Sequence, residues 1–378
     1  MVEDAFGAAG DEVVLEERME GPEASMLAFC DGRSVRMMPA AQDHKRVGDG
    51  DTGLNTGGMG AYAPAPLVTP AIAARVLKEV LEPAVRGLAA EGRPFVGVLY
   101  AGMMMTPRDG PRVVEFNCRF GDPETQVLLP LLDTDLLHVM ESCALGSLAS
   151  MGALAWKPAH AVTVVAASPG YPVKYPKGRQ IYGLEDVPRT SGAIGSGDEV
   201  MVFHAGTRLR DGDKKIVETS GGRVLVVTSV SKKSLRLAVS GAYAGMRALD
   251  FEGMHYRYDI AGRALTGERP LRVAVLGSTR GTDLGLLLDA LASGRAAGIS
   301  IDVVVSNRKN SEILGRAEAA GIPAFHVPCP KGTPRETYDQ AVTAVLDEHG
   351  PIDVVLMIGY MRIVSPGFTA RWANKLVG

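Results

Sequence analysis

The stretch VVEFNCRFGDPET (113–125) decides how the chain is read. Alternate residues of a strand share a face. Glu115, Asn117 and Arg119 therefore fall on one face, and Val114, Phe116 and Cys118 on the other, expected to point into a core. A carboxylate beside an amide oxygen is a hard-oxygen pair suited to a divalent cation that carries nucleotide phosphates. An arginine one step further can neutralise charge on a transferring phosphoryl group. The plainer alternative is a half-exposed hairpin with polar outer residues. The exit into Gly121, Asp122 and Glu124 sets a polar turn beside the same face and favours the chemical reading.

Working outward, AQDHKRVGDGDTGLNTGGMGAY (41–62) places six glycines in the twenty residues from Asp43, next to Lys45 and Arg46. Glycine lets backbone N–H groups approach an anion closely. The alternative is an ordinary surface loop. The stretch is neither a Walker A loop nor G-x-G-x-x-G. In VVLEERMEGPEAS (13–25) an apolar run leads into Glu16 and Glu17, with Glu23 beyond. A strand edge of this kind can read an adenine while an acid holds ribose hydroxyls. An acidic strand end is more often simply solvated.

The chain has 378 residues, 46% hydrophobic and 22% charged. At roughly 150 residues per domain that suggests two or three domains. A net charge of −3 argues against a general nucleic-acid or anionic-membrane binder. No apolar run is long enough to span a bilayer. The acidic start MVEDAFGAAGDEVV lacks the basic and apolar regions of a signal peptide. Four scattered cysteines without C-x-x-C read as reduced thiols of a cytosolic protein.

Three blocks follow. In the first, EVVLEERM, ASMLAFC and SVRMMPA read as β runs, the last two joined by Asp31-Gly32. A helix is expected from Pro70 to Glu91, a hairpin over FVGVLYAGMMM and RVVEFNCRF, and a largely helical stretch from Thr125 to Ser147. The second block, about 158–267, has strands at HAVTVVAAS, MVFHAGT and GGRVLVVTS and a helix near Lys232–Leu249. The polar TGERP (266–270) reads as a linker. In the third, RVAVLG, ISIDVVVSN and IDVVLMIGY alternate with helical segments, which points to a parallel sheet buried on both faces.

QDHKRVGDGDTGLNTGGMGAYAPAP, GVLYAGMMM and EFNCRFGDPETQ, in this order and spacing, resemble glycinamide ribonucleotide synthetase (phosphoribosylamine–glycine ligase), an ATP-grasp family, over about residues 1–267. The resemblance implies ATP, Mg²⁺ or Mn²⁺, glycine and 5-phosphoribosylamine. It implies that Glu115 and Asn117 bind the metal and that Arg119 stabilises the phosphoryl group. Glu16, Glu17 and Glu23 would lie along the adenosine, and Asp43, Lys45, Arg46, Gly121, Asp122 and Glu124 would face the substrates.

In the third block LRVAVLGSTRGTDLGLLLDAL (271–291) reads as strand, glycine loop and helix, whose N-terminal amides attract a phosphate. With NRKNSEILGRAEAAGIP, PRETYDQAV and IGYMRIVSPGF it resembles glycinamide ribonucleotide formyltransferase. That family implies 10-formyltetrahydrofolate as co-substrate, with Gly281, Thr282 and Asp283 on the substrate phosphate. Arg335, Met361, Arg362, Ile363 and Val364 would line the folate pocket.

The expected fold is therefore α/β and α+β: a partial ATP-grasp domain (1–157), a β-rich C-terminal lobe (158–267), and a partial Rossmann-like parallel-sheet formyltransferase domain (268–378). The synthetase family's leading α/β domain and lid, and the formyltransferase family's Asn-x-His-Pro motif, fall outside this sequence, so little catalysis by it alone is expected. The expected function is two steps of de novo purine synthesis in the cytoplasm, acting on glycine, 5-phosphoribosylamine and glycinamide ribonucleotide, with a homo-oligomer possible. The rival reading is a non-catalytic nucleotide-binding or docking remnant. Among the histidines, His44 in the glycine-rich loop is a candidate ligand contact. His138, His160, His255, His326 and His349 read as surface or satisfied polar groups.

Overall fold

The computed structural model describes residues 12–187, 199–265, 270–292, 296, 298–373 and 375–378. The linker expected at 266–270 lies, apart from Pro270, outside them. The chain divides into two compact units. One comprises residues up to Ala40, Leu67–Phe120 and Leu136–Ala153; the other comprises Ala41–Pro66, Gly121–Asp135 and Leu154–Gly378.

The first unit is built on an antiparallel sheet in the order Val35–Met37, Glu23–Asp31, Val96–Thr106, Gly110–Asn117. Its central strands are almost wholly buried, with Met26, Leu27, Ala28, Cys30, Ala101 and Met103 at 0% exposure. The helix over residues 70–90 starts on the Thr69 cap, whose side chain accepts from the Ile72 amide. It carries a π turn at Leu77–Leu81, just ahead of Pro83. Proline offers no N–H and crowds the preceding turn, and a widened turn relieves this.

Two expectations fail in this unit. Residues 13–20 form no strand; Val13, Val14 and Leu15 are 60%, 85% and 94% exposed. The ladder begins instead at Glu23. Val114 and Phe116 do not enter a core but stand 38% and 44% exposed. Their strand is the sheet's edge, and its register shifts opposite Gly102/Met103. Glu115 pairs with Gly102 and Val113 with Met103, which leaves Val114 as the extra residue of a β-bulge.

In the second unit an antiparallel sheet runs Glu199–His204, Arg223–Ser231, His160–Ala167, Gly60–Ala63, Gln42–Asp43. Helix Leu235–Ala248 lies against it, capped by the Ser234 hydroxyl, which accepts from the Leu237 amide. The expected helix over 125–147 is interrupted. Thr125–Leu128 and a 3-10 turn Leu129–Leu131 containing Pro130 stop before Asp133, and a separate helix Leu136–Ala144 follows in the first unit.

The same unit holds the parallel sheet read from the sequence, in the order Ala324–His326, Ile299–Ser306, Leu271–Gly277, Val354–Ile358, Leu376–Val377. Alternate residues serve opposite faces. Ala274 and Leu276 pack with Tyr338, Val342, Leu346 and Phe368. Val273 and Val275 pack with Leu284, Ile313, Leu314 and Ala317. Both faces are thus covered by helices, which is why the middles of these strands read as valine-rich apolar runs. No described helix is long and apolar enough to cross a membrane.

Candidate functional site

In the first unit the cross-strand pairs Glu115–Gly102–Ser25 and Asn117–Tyr100–Leu27 define one sheet face. Glu23 belongs to the same face, two residues before Ser25. The Asn117 amide donates to Glu115 Oε1 at 3.0 Å, so the two side chains lie together, Glu115 exposed and Asn117 half-buried. Gly102 gives them room: a Cβ there would stand 3.3 Å from the Glu115 side chain. Ser25 Oγ and Tyr100 Oη, 2.8 Å apart, complete a polar strip.

The pair suits a hard cation. It supplies one carboxylate and one amide oxygen and leaves the remaining positions to phosphate and water, as magnesium requires. No described cluster of three or more His, Cys, Asp or Glu forms a metal cage of its own.

Arg119 does not share the strand. The ladder ends at Asn117, and Arg119 sits in the following bend, donating to the Phe120 carbonyl at 2.8 Å. It hydrogen-bonds neither Glu115 nor Asn117. It lines a cavity of about 180 Å³ with Phe29, Val98, Met140 and Cys143. Glu16 and Glu17 are exposed on extended chain.

In the second unit the glycine-rich loop is a built structure. Strand Gln42–Asp43 pairs with Gly60–Ala63, and Arg46–Gly48 pairs with Thr52–Asn55 in a hairpin. Arg46 is exposed at the hairpin's base and donates to the Gly53 carbonyl at 2.7 Å. Asp43 is 8% exposed. The Lys45 carbonyl accepts from the Thr56 amide at 2.7 Å and from its hydroxyl at 2.9 Å.

The loop meets the turn after Phe120 through Arg223. Its Nη1 donates to the carbonyls of Gly57 (2.8 Å) and Asp122 (2.7 Å), and Nη2 to Asp122 Oδ2 (2.9 Å). Gly58 has φ +111°, and a Cβ there would sit 2.4 Å from Pro123 Cδ, so only glycine allows the approach. Glu124 is 3% exposed and folds beneath Gly121 rather than facing outward.

His44 is no surface ligand contact. It is 2% exposed, and both ring nitrogens face donors: the Ala261 amide at Nε2 (3.0 Å) and Arg263 Nη2 at Nδ1 (3.1 Å). A neutral ring can accept from one of them; an imidazolium can accept from neither. Burial, then the Arg263 and Arg257 charges, bring its pKa down to about 3. Asp259 falls to about 2: burial opposes this, but the Arg257 hydrogen bonds and the Gly50 amide prevail. The sequence hid this cluster because its partners lie some 200 positions from the loop.

At the carboxyl end of strand Leu271–Gly277, Gly281 has φ +64° and lies against Ile313. Thr282 and Asp283 open helix Thr282–Ala292 and are exposed; the Asp283 charge complements the helix dipole. A cleft of about 400 Å³ beside the loop is lined by Ser278, Thr279, Arg280, Arg308, Asn310, Ser311 and Glu312. Two arginines at a helix-start loop suit an anion. Ser278 Oγ donates to Asn307 Oδ1 (2.6 Å) and accepts from the Met361 amide (2.9 Å), tying the loop to the segment after strand Val354–Ile358. Met361 and Ile363 are 68% and 70% exposed. Arg362 lies 4.5 Å over the Tyr338 ring, and Val364 packs on the core. Arg335 is exposed at the start of helix Arg335–Glu348.

A strand presenting a metal-suited pair, a glycine-rich loop pinned to a polar turn, and a parallel-sheet module with an anion-suited loop describe an ATP-grasp ligase portion joined to a formyltransferase portion. Family comparison agrees. Residues 1–125 match the phosphoribosylglycinamide synthetase ATP-grasp (A) domain, 161–263 the C domain of the same family, and 271–378 the formyl transferase family. The chain thus carries the A and C domains of the phosphoribosylglycinamide synthetase family followed by a formyl transferase domain.

A phosphoribosylamine–glycine ligase of Synechocystis sp. is 47% identical over 70% of this chain and 60% of its own. The trifunctional purine biosynthetic protein adenosine-3 of Gallus gallus is 49% identical over 70% of this chain and 25% of its own. The crystal structure of the Thermotoga maritima phosphoribosylamine–glycine ligase superposes with a TM-score of 0.55 at 32% identity, covering 64% of this chain and 56% of that one. The chain thus spans about 60% of the length of the Synechocystis ligase.

Proposed function

We propose that the chain serves two linked steps of purine biosynthesis. In the first, ATP phosphorylates the glycine carboxylate, and the amine of 5-phosphoribosylamine displaces phosphate from the acyl phosphate, giving glycinamide ribonucleotide. In the second, the amine of that product takes a formyl group from 10-formyltetrahydrofolate. Residues 1–157 and 158–267 belong to the first step and 268–378 to the second. The substrates are small molecules, and the setting is the cytoplasm.

The roles follow from chemistry. Glu115 and Asn117 would hold Mg²⁺ or Mn²⁺, which supplies charge neutralisation for the nucleotide phosphates. Glu23, on the same sheet face, would accept from ribose hydroxyls, with Glu16 and Glu17 on the chain leading to it. Arg119 would meet phosphoryl charge once turned from the Phe120 carbonyl. Lys45, Arg46 and Asp43 with Gly121 and Asp122 would orient the acceptor substrates, and Glu124 would support that turn from beneath. Gly281, Thr282 and Asp283, with Arg280 and Arg308, would seat the ribonucleotide phosphate. Arg335 and Met361–Val364 would border the folate.

The observation that carries this reading is the adjoining Glu115 and Asn117 pair at the edge strand of the sheet, with Glu115 exposed. Calorimetric titration with ATP, with and without magnesium, tests it. Magnesium should strengthen binding, and Glu115→Ala should remove that gain. Nucleotide uptake indifferent to magnesium in the unmodified chain would overturn it.

A further inference from the structure

The glycine-rich hairpin is held from one side by a segment far along the chain. Arg257 is the largest fully buried side chain among the described residues, and its guanidinium meets four acceptors. Nε and Nη2 grip Asp259 Oδ1 and Oδ2, each at 2.7 Å. Nη1 donates to the Arg46 carbonyl at 3.0 Å and to Asp51 Oδ1 at 2.9 Å. Around it, Asp259 Oδ2 accepts from the Gly50 amide, Asp49 Oδ1 from the Tyr258 amide, and Asp51 from Arg263. His255 Nε2 lies 2.9 Å from the Val47 carbonyl. Asp51 has φ +56°, a conformation that costs a non-glycine residue about 1–2 kcal/mol and persists only where its surroundings fix it.

We propose that Arg257 is the positioning residue of the substrate hairpin: it fixes the Arg46 backbone and the Asp49–Asp51 tip so that Lys45 and Arg46 present their charges to the phosphoribosyl ligand. This rests on the reading that the hairpin faces that ligand. Arg257 touches no substrate itself. Its fork spans three residues at once, which a lysine ammonium cannot reproduce. Burying so large a cation is weak as a stability device, because an apolar replacement of the whole pair is often neutral. What an apolar replacement cannot supply is the bond to the Arg46 carbonyl and to Asp51.

The test follows the Gly48, Gly50 and Gly53 amide signals while glycinamide ribonucleotide is titrated. Three proteins are compared: the unmodified chain, Arg257→Lys, and the double variant Arg257→Met with Asp259→Asn, which leaves no unpaired buried charge. If either change lowers the competent hairpin population to about a tenth, the dissociation constant read at those amides rises about tenfold. The double variant should keep the unmodified unfolding midpoint, and faster hydrogen exchange should be confined to residues 46–55. Equal affinity in all three proteins would overturn the proposal alone. Weaker binding accompanied by lost protection across strand His160–Ala167 would reduce Arg257 to a structural part and also overturn it. Hairpin signals that ignore the ligand in the unmodified chain would overturn the underlying reading, and the proposal with it.

Discussion

Lowering the pH from 7 to 5 should destabilise the second unit through a single ring, His44. Its pKa stands near 3 in the fold against 6.5 for a free histidine. A depressed folded value means that the unfolded chain binds the extra proton first. The contribution is complete above pH 6.5 and drains away as pH falls toward 3. Each unit of pH below 6.5 costs about 1.4 kcal/mol, so roughly 2 kcal/mol is lost by pH 5. His44 is 2% exposed, so little of this is screened by solvent. Asp259, with its value near 2, loses its contribution only below the usual carboxylate range and does not confuse this window. Asp49 is raised by burial and works the other way at the acidic end, equally in both proteins compared. The assay is the urea midpoint of the unmodified chain and of His44→Gln at pH 7, 6 and 5. The difference between the two should change by roughly 0.5–1 M across the series, taking a slope of about 2–3 kcal/mol per M. Parallel curves would refute the argument that two donors hold this ring neutral.

Two further outcomes follow from the geometry. Gly281→Ala places a Cβ 2.5 Å from Ile313 Cγ1 at φ +64°; strain and overpacking together should cost about 2–5 kcal/mol, read as early unfolding of residues 271–378 by hydrogen exchange. Arg223→Met removes the donors that bind Gly57 to the Asp122 turn, so the amides of residues 56–58 should exchange at least about tenfold faster while strand His160–Ala167 keeps its protection.

The parallel sheet was legible because burial on both faces leaves a local mark: Val273–Leu276 and Val303–Val305 are apolar at every position. The Glu115–Asn117 pairing was legible for the opposite reason, the period of two along one strand. Arg119 was misjudged because the period holds only while the ladder lasts, and the ladder stops at Asn117. The apolar side chains beside them misled because an edge strand with a bulge need not cover either face. The acidic run before Glu23 mimicked a strand in composition, yet strand pairing depends on a neighbour that no local pattern reveals. The anchoring of the glycine loop was the least accessible feature. Arg257, Asp259 and Arg263 look like the charged end of a domain until the fold folds them under residues 44–51.

The fused module is entered and used at opposite ends. The chain joins the parallel sheet at Leu271, whereas the anion-suited loop opens beyond Gly277, a full strand length away. Contacts made at the entry end, such as the Arg236 bond to the Gly298 carbonyl, therefore leave the mouth of that cleft unobstructed.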